Sequence, residues 1–218
     1  MKPNEMFDHV CSSISVPYRN YDWRYSKTSH WMTKKDKNFM YKVFFYTSLN
    51  NVSDKNVVFY GEFAIISLKT KNKIFNINSR QCNMPNGKLH WNIANKEDSH
   101  QAVIEFTDWL DRVCVPIIEK CTNDLDNFVD EVTTNGFYPP KGYIVDIAFI
   151  LCYGSRELAE KASNKYYRSL EEKIQKEFRD NYNSLNLGNE AASSYGKNMM
   201  RNYSNFRTII ENKIKVDF

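Results

Sequence analysis

Two of the four histidines, His30 and His90, directly precede tryptophans in stretches of strand-like composition. Imidazole titrates near neutral pH, so two imidazoles on neighbouring strands could hold a metal ion or transfer protons. Neither stretch contains an Asp, Glu or Cys that would complete a set of metal ligands. We therefore interpret both histidines as surface residues of a binding face, and we expect neither a metal ion nor a cofactor.

Strand alternation indicates where the residues of these two stretches point. In LHWNI (89–93) three large apolar residues share one face, so Trp91 is predicted to be buried, while His90 and Asn92 face solvent or a shallow groove. In SHWMT (29–33) the pattern is ambiguous, because neither face is clearly apolar. If Trp31 also points inward, the two histidines lie on the same outer face of one sheet.

Carboxylates are the other candidates for chemistry. Asp146 lies in the apolar run 141–153, which is predicted to be a helix that is apolar on nearly every side. A buried carboxylate is costly unless it is paired, so we expect a hydrogen bond or an ion pair, with Arg156 or a tyrosine hydroxyl as partner. Three further carboxylates recur at every third residue of one predicted helix, at Glu105, Asp108 and Asp111. Such a set can bind a metal, but it is also typical of the solvated face of a helix.

Lysines alternate with aromatic residues in the segments 33–42 and 67–75. An aromatic sheet edged with lysine can stack bases and hold phosphates, and the residues available for this are Phe44, Tyr46 and Phe59. Lysines near strand ends also keep edge strands from aggregating. The net charge is only +4, with 30 basic and 26 acidic residues, which favours this second explanation.

The order of the patterns predicts an α+β fold. An amphipathic helix over residues 4–15 precedes a region of alternating and β-rich segments, and short turns between them indicate an antiparallel sheet of about five strands. From residue 98 the apolar spacing becomes helical. We expect one domain over residues 1–218, in which a helix and the sheet (1–97) are packed by a helical part (98–218).

The last predicted helix carries the apolar stripe Ala191, Tyr195, Met199, Tyr203, Phe206, Ile210 and Ile214. This stripe could pack on the core of the same chain or on a second copy, so a homodimer through the C-terminal helix is one expectation.

The N-terminus has no apolar segment typical of a signal peptide, and no apolar run is long enough to cross a bilayer. Five cysteines with no C-x-x-C spacing argue against disulfides and zinc. A soluble, cytoplasmic protein without membrane contact is expected.

The order of several short motifs resembles a group of bacterial proteins known only as domains of unknown function. The motifs are His30-Trp31 followed by Lys34-Lys35, TSLNN at 47–51, Trp91-Asn92-Ile93 and Gly-Ser-x-Glu-Leu-Ala at 154–159. The resemblance covers roughly residues 1–175 and implies a sheet followed by helices. It supplies no catalytic residues. Some small bacterial proteins of this kind act as immunity or defence factors that bind a toxin or a phage component.

These observations favour a non-enzymatic, protein-binding factor of the bacterial immunity, inhibitor or defence type. The partner is predicted to be a toxin or a phage component. The predicted binding surface consists of His30, His90, Asn92, Asp146, Phe44 and Tyr46. The first alternative is a module that binds RNA or single-stranded nucleic acid. The second is a metal-dependent nuclease or other hydrolase that uses Asp146 or the helix carboxylates.

Overall fold

A five-stranded antiparallel sheet forms the centre of the first part of the chain, which confirms the predicted α+β class. The computed structural model describes residues 2–79, 90–186, 199–200 and 203–218. The strands follow one another in the order of the sequence, and a short sixth strand pairs with the fourth. They are β1 (Arg24–Ser26), β2 (Trp31–Lys35), β3 (Phe39–Thr47), β4 (Val58–Ser67), β5 (Lys73–Asn78) and β6 (Trp91–Asn92).

Three helices cover one face of this sheet: α1 (Pro3–Ser15), α2 (Lys96–Trp109) and α3 (Val115–Asn123). The centre of the core is the ring of Phe59, which lies 6.1 Å from Phe7 of α1 and 5.2 Å from Phe106 of α2 between ring centroids. From α3, the Thr122 hydroxyl lies 3.4 Å from that of Tyr41 on β3. The opposite face of the sheet is called the outer face below.

The chain forms two compact units, Met1–Asn123 and Asp124–Phe218. The sheet and the helices α1, α2 and α3 therefore belong to one unit, whereas the sequence-based boundary fell at residues 97/98. A π-helical turn at Leu110–Cys114 joins α2 to α3. Proline lacks the N–H of the helical ladder, so the sequence predicts a kink or a split at Pro116. The π-helical turn ends two residues before this proline.

The second unit is helical in its described residues. Its helices are α4 (Leu125–Asn135), α5 (Ile147–Tyr153), α6 (Arg156–Ser169), α7 (Glu172–Asn186) and α8 (Ser204–Glu211). Phe178 of α7 is fully buried and lies 4.8 Å from Phe206 of α8, centroid to centroid. A second cluster joins Phe128 to Phe149, at 6.3 Å.

Two helix predictions in this unit are wrong in part. The run 141–153 is helical only over Ile147–Tyr153, because Pro139 and Pro140 start a separate 3-10 turn and Gly142 adopts a positive φ of 90°. The last helix is not continuous, since Tyr203 has extended backbone and α8 begins after it. Ala191 and Tyr195 of the predicted stripe lie outside the described residues. Phe206 and Met199 are buried, so they pack on their own chain, and the homodimer stays a prediction.

The beginning of α2 also differs in detail from the sequence prediction. Its N-cap is Asn95, three residues before the predicted start of helical spacing at residue 98, and the Asn95 side chain accepts a 2.9 Å hydrogen bond from the backbone N–H of Asp98. Of the helices that the structure describes, none combines the length and the apolar character needed to cross a bilayer. Cys11, Cys114 and Cys121 are buried, as expected for structural thiols, and Cys82 lies outside the described residues.

Candidate functional site

The outer face carries a row of half-buried aromatic side chains across β2, β3 and β4. The aromatic row consists of Trp31, Phe44, Tyr46 and Tyr60. Strand pairing places Trp31 opposite Phe44 and Tyr46 opposite Tyr60, and alternation along β3 brings Phe44 and Tyr46 to the same side. The ring centroids are 5.9 Å apart in the first pair and 5.1 Å apart in the second. The row is therefore one continuous surface rather than four separate residues.

Most ring faces of the aromatic row are already in contact with other groups of the chain. Tyr46 and Tyr60 are stacked with 25° between their planes. The ammonium of Lys42 lies 4.3 Å from the centroid of Trp31, and that of Lys73 lies 5.9 Å from the centroid of Phe44. Cations over aromatic faces are held by the quadrupole of the ring. The row thus offers ring edges, phenolic hydroxyls and lysine ammonium groups to a ligand.

A single ion pair crosses this face between described residues. Lys73 Nζ lies 2.9 Å from Glu62 Oε1, and the Glu62 side chain is 15% exposed. Burial raises the pKa of the Tyr46 phenol, and the neighbouring Glu62 and Tyr60 raise it further. The phenol is therefore neutral at physiological pH and can both donate and accept a hydrogen bond.

His30 is part of a polar cluster between the β1–β2 turn and α1. It is the last residue of the turn between β1 and β2, with a positive φ of 51°, and its Nε2 lies 2.8 Å from Asp8 Oδ1 of α1. Lys27 Nζ lies 3.2 Å from the other carboxylate oxygen. Burial alone would raise the pKa of Asp8, but the hydrogen bonds from His30 and Lys27 outweigh it and lower the pKa. Asp8 is therefore a carboxylate at neutral pH.

The alternative in which His30 and His90 lie together on the outer face is wrong, because it required Trp31 to point inward. Met32 is the fully buried residue of β2, and Trp31 belongs to the aromatic row. His30 consequently packs against the ring of Phe7 at 4.9 Å, on the side of α1. The two histidines line different cavities, of about 530 Å³ at His30 and about 270 Å³ at His90.

The arrangement of β6 follows the sequence prediction for the residues that the structure describes. Trp91 is buried, whereas His90 and Asn92 are exposed. The side chain of Asn92 is occupied by the backbone: its Oδ1 accepts from the N–H of Val57 at 2.9 Å, and its Nδ2 donates to the carbonyl of Lys55 at 2.9 Å. Asn92 therefore holds the loop before β4, a structural role that the alternation pattern does not reveal.

Replacing Asn92 by alanine is expected to lower the free energy of unfolding by about 1–3 kcal/mol, because the N–H of the buried Val57 loses its acceptor. Urea unfolding followed by tryptophan fluorescence measures this change. The neighbouring exposed substitution His90→Ala is the control and should stay within about 0.5 kcal/mol of the wild type. Equal losses in the two variants would contradict the structural role of Asn92.

Asp146 is the N-cap of α5, not a residue inside a helix as predicted. Its Oδ1 accepts a 2.7 Å hydrogen bond from the backbone N–H of Phe149. Burial raises its pKa to about 6, although the backbone hydrogen bonds from Phe149 and Ala148 act in the opposite direction. The expected partner Arg156 instead pairs with Glu160 and with backbone carbonyls of the residues after α8. Asp146 belongs to the second unit and is not part of the outer face.

Each carboxylate of the predicted set has a separate partner, and the set is divided between α2, which carries Glu105 and Asp108, and the π-helical turn, which carries Asp111. Trp91 Nε1 donates to Glu105 at 2.6 Å, Arg112 pairs with Asp108, and the hydroxyl of Tyr18 donates to Asp111 at 2.7 Å. Within the residues that the structure describes, no three His, Cys, Asp or Glu side chains are grouped so that they could hold a metal ion.

Sequence reasoning missed part of the surface and misplaced one residue. The sequence pattern predicts Phe59 on the surface with Phe44 and Tyr46, but Phe59 is fully buried in the core, because strand pairing places it opposite Thr47 rather than in the aromatic row. Trp31 and Tyr60 belong to the row and were not selected. Tyr60 could have been found from the alternation of β4, in which it shares a side with Glu62.

In comparisons with protein-family models, with curated proteins and with solved structures, this chain matches none of them.

Proposed function

We propose that this chain is a non-enzymatic protein-binding factor that contacts its partner through the outer face of the sheet. The aromatic row with its lysines supports this proposal, since Trp and Tyr on a half-buried surface are among the residues that most often carry binding energy between proteins. The partner type follows the sequence interpretation: a toxin or a phage component, bound by a factor of the bacterial immunity, inhibitor or defence type.

The use of the ring faces favours a protein over a nucleic acid. A single-stranded nucleic acid binds an aromatic platform by stacking its bases on free ring faces. Here Tyr46 stacks on Tyr60, and the lysine ammonium groups lie over Trp31 and Phe44. Bases would have to displace these contacts. A protein partner can instead pack against ring edges and hydrogen-bond to the tyrosine hydroxyls.

The test compares the wild type with a Phe44→Ala/Tyr46→Ala variant. The affinity-tagged chain captures a partner from a lysate of its source organism, and the purified partner is then titrated calorimetrically. We expect the variant to bind roughly thirtyfold more weakly or worse, which corresponds to about 2 kcal/mol from the loss of two anchors. Thermal unfolding of both chains verifies that the variant is folded at the titration temperature.

Ile104→Ala is the matched control, because Ile104 is a large apolar residue of the same unit that is 49% exposed and lies on α2, on the other side of the sheet from the aromatic row. It should leave the affinity unchanged. Equal binding by the wild type and the Phe44→Ala/Tyr46→Ala variant would refute the proposal. So would salt-dependent binding of a single-stranded oligonucleotide that the same variant abolishes, since this would identify the outer face as a nucleic-acid platform.

A further inference from the structure

We propose that the partner presents an acidic segment, and that its carboxylates bind in a basic cleft beside the aromatic row. This inference rests on the proposed function and specifies the chemistry of the partner. The basic cleft is lined by three cations, Arg19, Arg24 and Lys35, together with Asp22, Trp23 and Thr33. It is an open cavity of about 570 Å³.

The cleft lies where the chain turns from the first helices into the sheet. Arg19 belongs to the 3-10 turn Pro17–Tyr21, and Asp22 follows in the left-handed conformation with φ 65°. The chain then enters β1, and Arg24 pairs with Thr33 of β2. The buried side chain of Trp23 forms part of the wall. Cations from a turn and from two strands therefore meet in one cavity.

The charges of the cleft are not neutralised by the chain itself. Within the described part of the chain, no ion pair or hydrogen bond is found for the side chains of Arg19, Arg24 and Lys35. All three are exposed, and the one carboxylate among the lining residues is that of Asp22. The cleft is thus positively charged at physiological pH. Guanidinium groups bind carboxylates through two parallel hydrogen bonds, and the hydroxyl of Thr33 adds a further donor.

The basic cleft and the aromatic row form one continuous surface. Arg24, Thr33 and Lys42 are successive partners across β1, β2 and β3, so their side chains leave the same face of the sheet. Lys42 in turn reaches over the ring of Trp31, the first residue of the aromatic row. A partner that packs on the row therefore passes the cleft. Charge complementarity at this position selects a partner with clustered Asp or Glu side chains and accelerates its association.

The binding of acidic side chains can be tested with a capped hexaglutamate peptide. Titration into isotope-labelled protein is followed through the Nε–H signals of Arg19 and Arg24 and the amide signal of Thr33. We expect saturable shifts of these three signals. In an Arg24→Gln/Lys35→Gln variant, the shifts of the remaining Arg19 and Thr33 signals should be at least tenfold smaller than in the wild type at the same hexaglutamate concentration. A Lys55→Gln/Lys96→Gln variant removes the same charge from exposed positions elsewhere and should behave like the wild type.

Two results would overturn the inference. One is a hexaglutamate titration that shifts the signals equally in the two double variants, because the effect would then be one of net charge. The other is saturation of the same signals by oligothymidylate or inorganic phosphate at lower concentrations than by hexaglutamate, because the cleft would then be selective for phosphate.

Failure of this inference can be distinguished from failure of the proposed function. If the captured partner loses affinity for the Phe44→Ala/Tyr46→Ala variant but binds the Arg24→Gln/Lys35→Gln variant with unchanged affinity and salt dependence, the acidic segment is refuted and the protein-binding face stands. If the Phe44→Ala/Tyr46→Ala variant binds the captured partner as tightly as the wild type while hexaglutamate still saturates the cleft, the proposed use of the row is refuted and the carboxylate site stands.

Discussion

Replacing Phe106 by alanine is expected to lower the free energy of unfolding of the first unit by about 3–5 kcal/mol. Its ring is fully buried and lies within 6 Å of four other aromatic rings, measured between centroids, so truncation leaves a cavity that rigid neighbours cannot close. All four tryptophans of the chain precede residue 124, so fluorescence-detected urea unfolding reports this unit alone. Because Phe106 packs beneath the sheet that carries the aromatic row, the variant should also bind the partner more weakly.

The glycine beneath this ring provides the control. A Cβ atom at Gly61 would lie 2.5 Å from the Phe106 ring, so Gly61→Ala alone should destabilise by about 1–3 kcal/mol through overpacking. In the Phe106→Ala background most of that conflict is removed, and the second substitution should cost clearly less. Additive losses of stability from the two substitutions would show that the Phe106 ring does not pack against Gly61.

The Asp146→Asn substitution is expected to change the pH dependence of stability in the second unit. Burial raises the pKa of Asp146 from 3.8 to about 6, so between these values the folded state holds a proton that the unfolded state has released. Stability from this group is complete below about pH 4 and is lost as the pH rises through about 6. Relative to the Asn variant, the wild type should lose up to roughly 3 kcal/mol over this interval.

Circular dichroism during thermal unfolding at pH values from about 4 to about 7.5 measures this difference. Asparagine retains the capping oxygen, so the helix start is conserved while the ionisation is removed. The control is Asp130→Asn, at an exposed position of α4 in the same unit. Parallel pH profiles for the wild type and the Asp146→Asn variant would contradict the raised pKa.

Local patterns were sufficient for the layout of the sheet. Buried and half-buried residues alternate along β3, and such alternation is readable from the sequence because the side chains of a strand leave the sheet in opposite directions whatever it pairs with. For the same reason the inward position of Trp91 and the outward positions of His90 and Asn92 could be read from five residues. The amphipathic helix predicted over residues 4–15 was equally local, since the buried residues of α1 recur at helical spacing.

The candidate site required information that no short segment contains. Trp31 was ambiguous until pairing with β3 placed it opposite Phe44, and Tyr60 joined the row through its pairing with Tyr46. The cations of the basic cleft are separated along the chain by a turn and a strand, and their common cavity depends on how the 3-10 turn meets β1. Register and turn geometry result from the packing of the whole unit.

The sequence by itself thus determined the α+β class, the antiparallel sheet and the amphipathic first helix, since these depend on periodicity and turns within short segments. The tertiary structure alone decided that His30 turns toward Asp8, that Asp146 caps a helix and that aromatic rings and cations form one surface. These features depend on contacts between residues distant in sequence and on backbone conformations, such as the positive φ of His30, that the fold imposes.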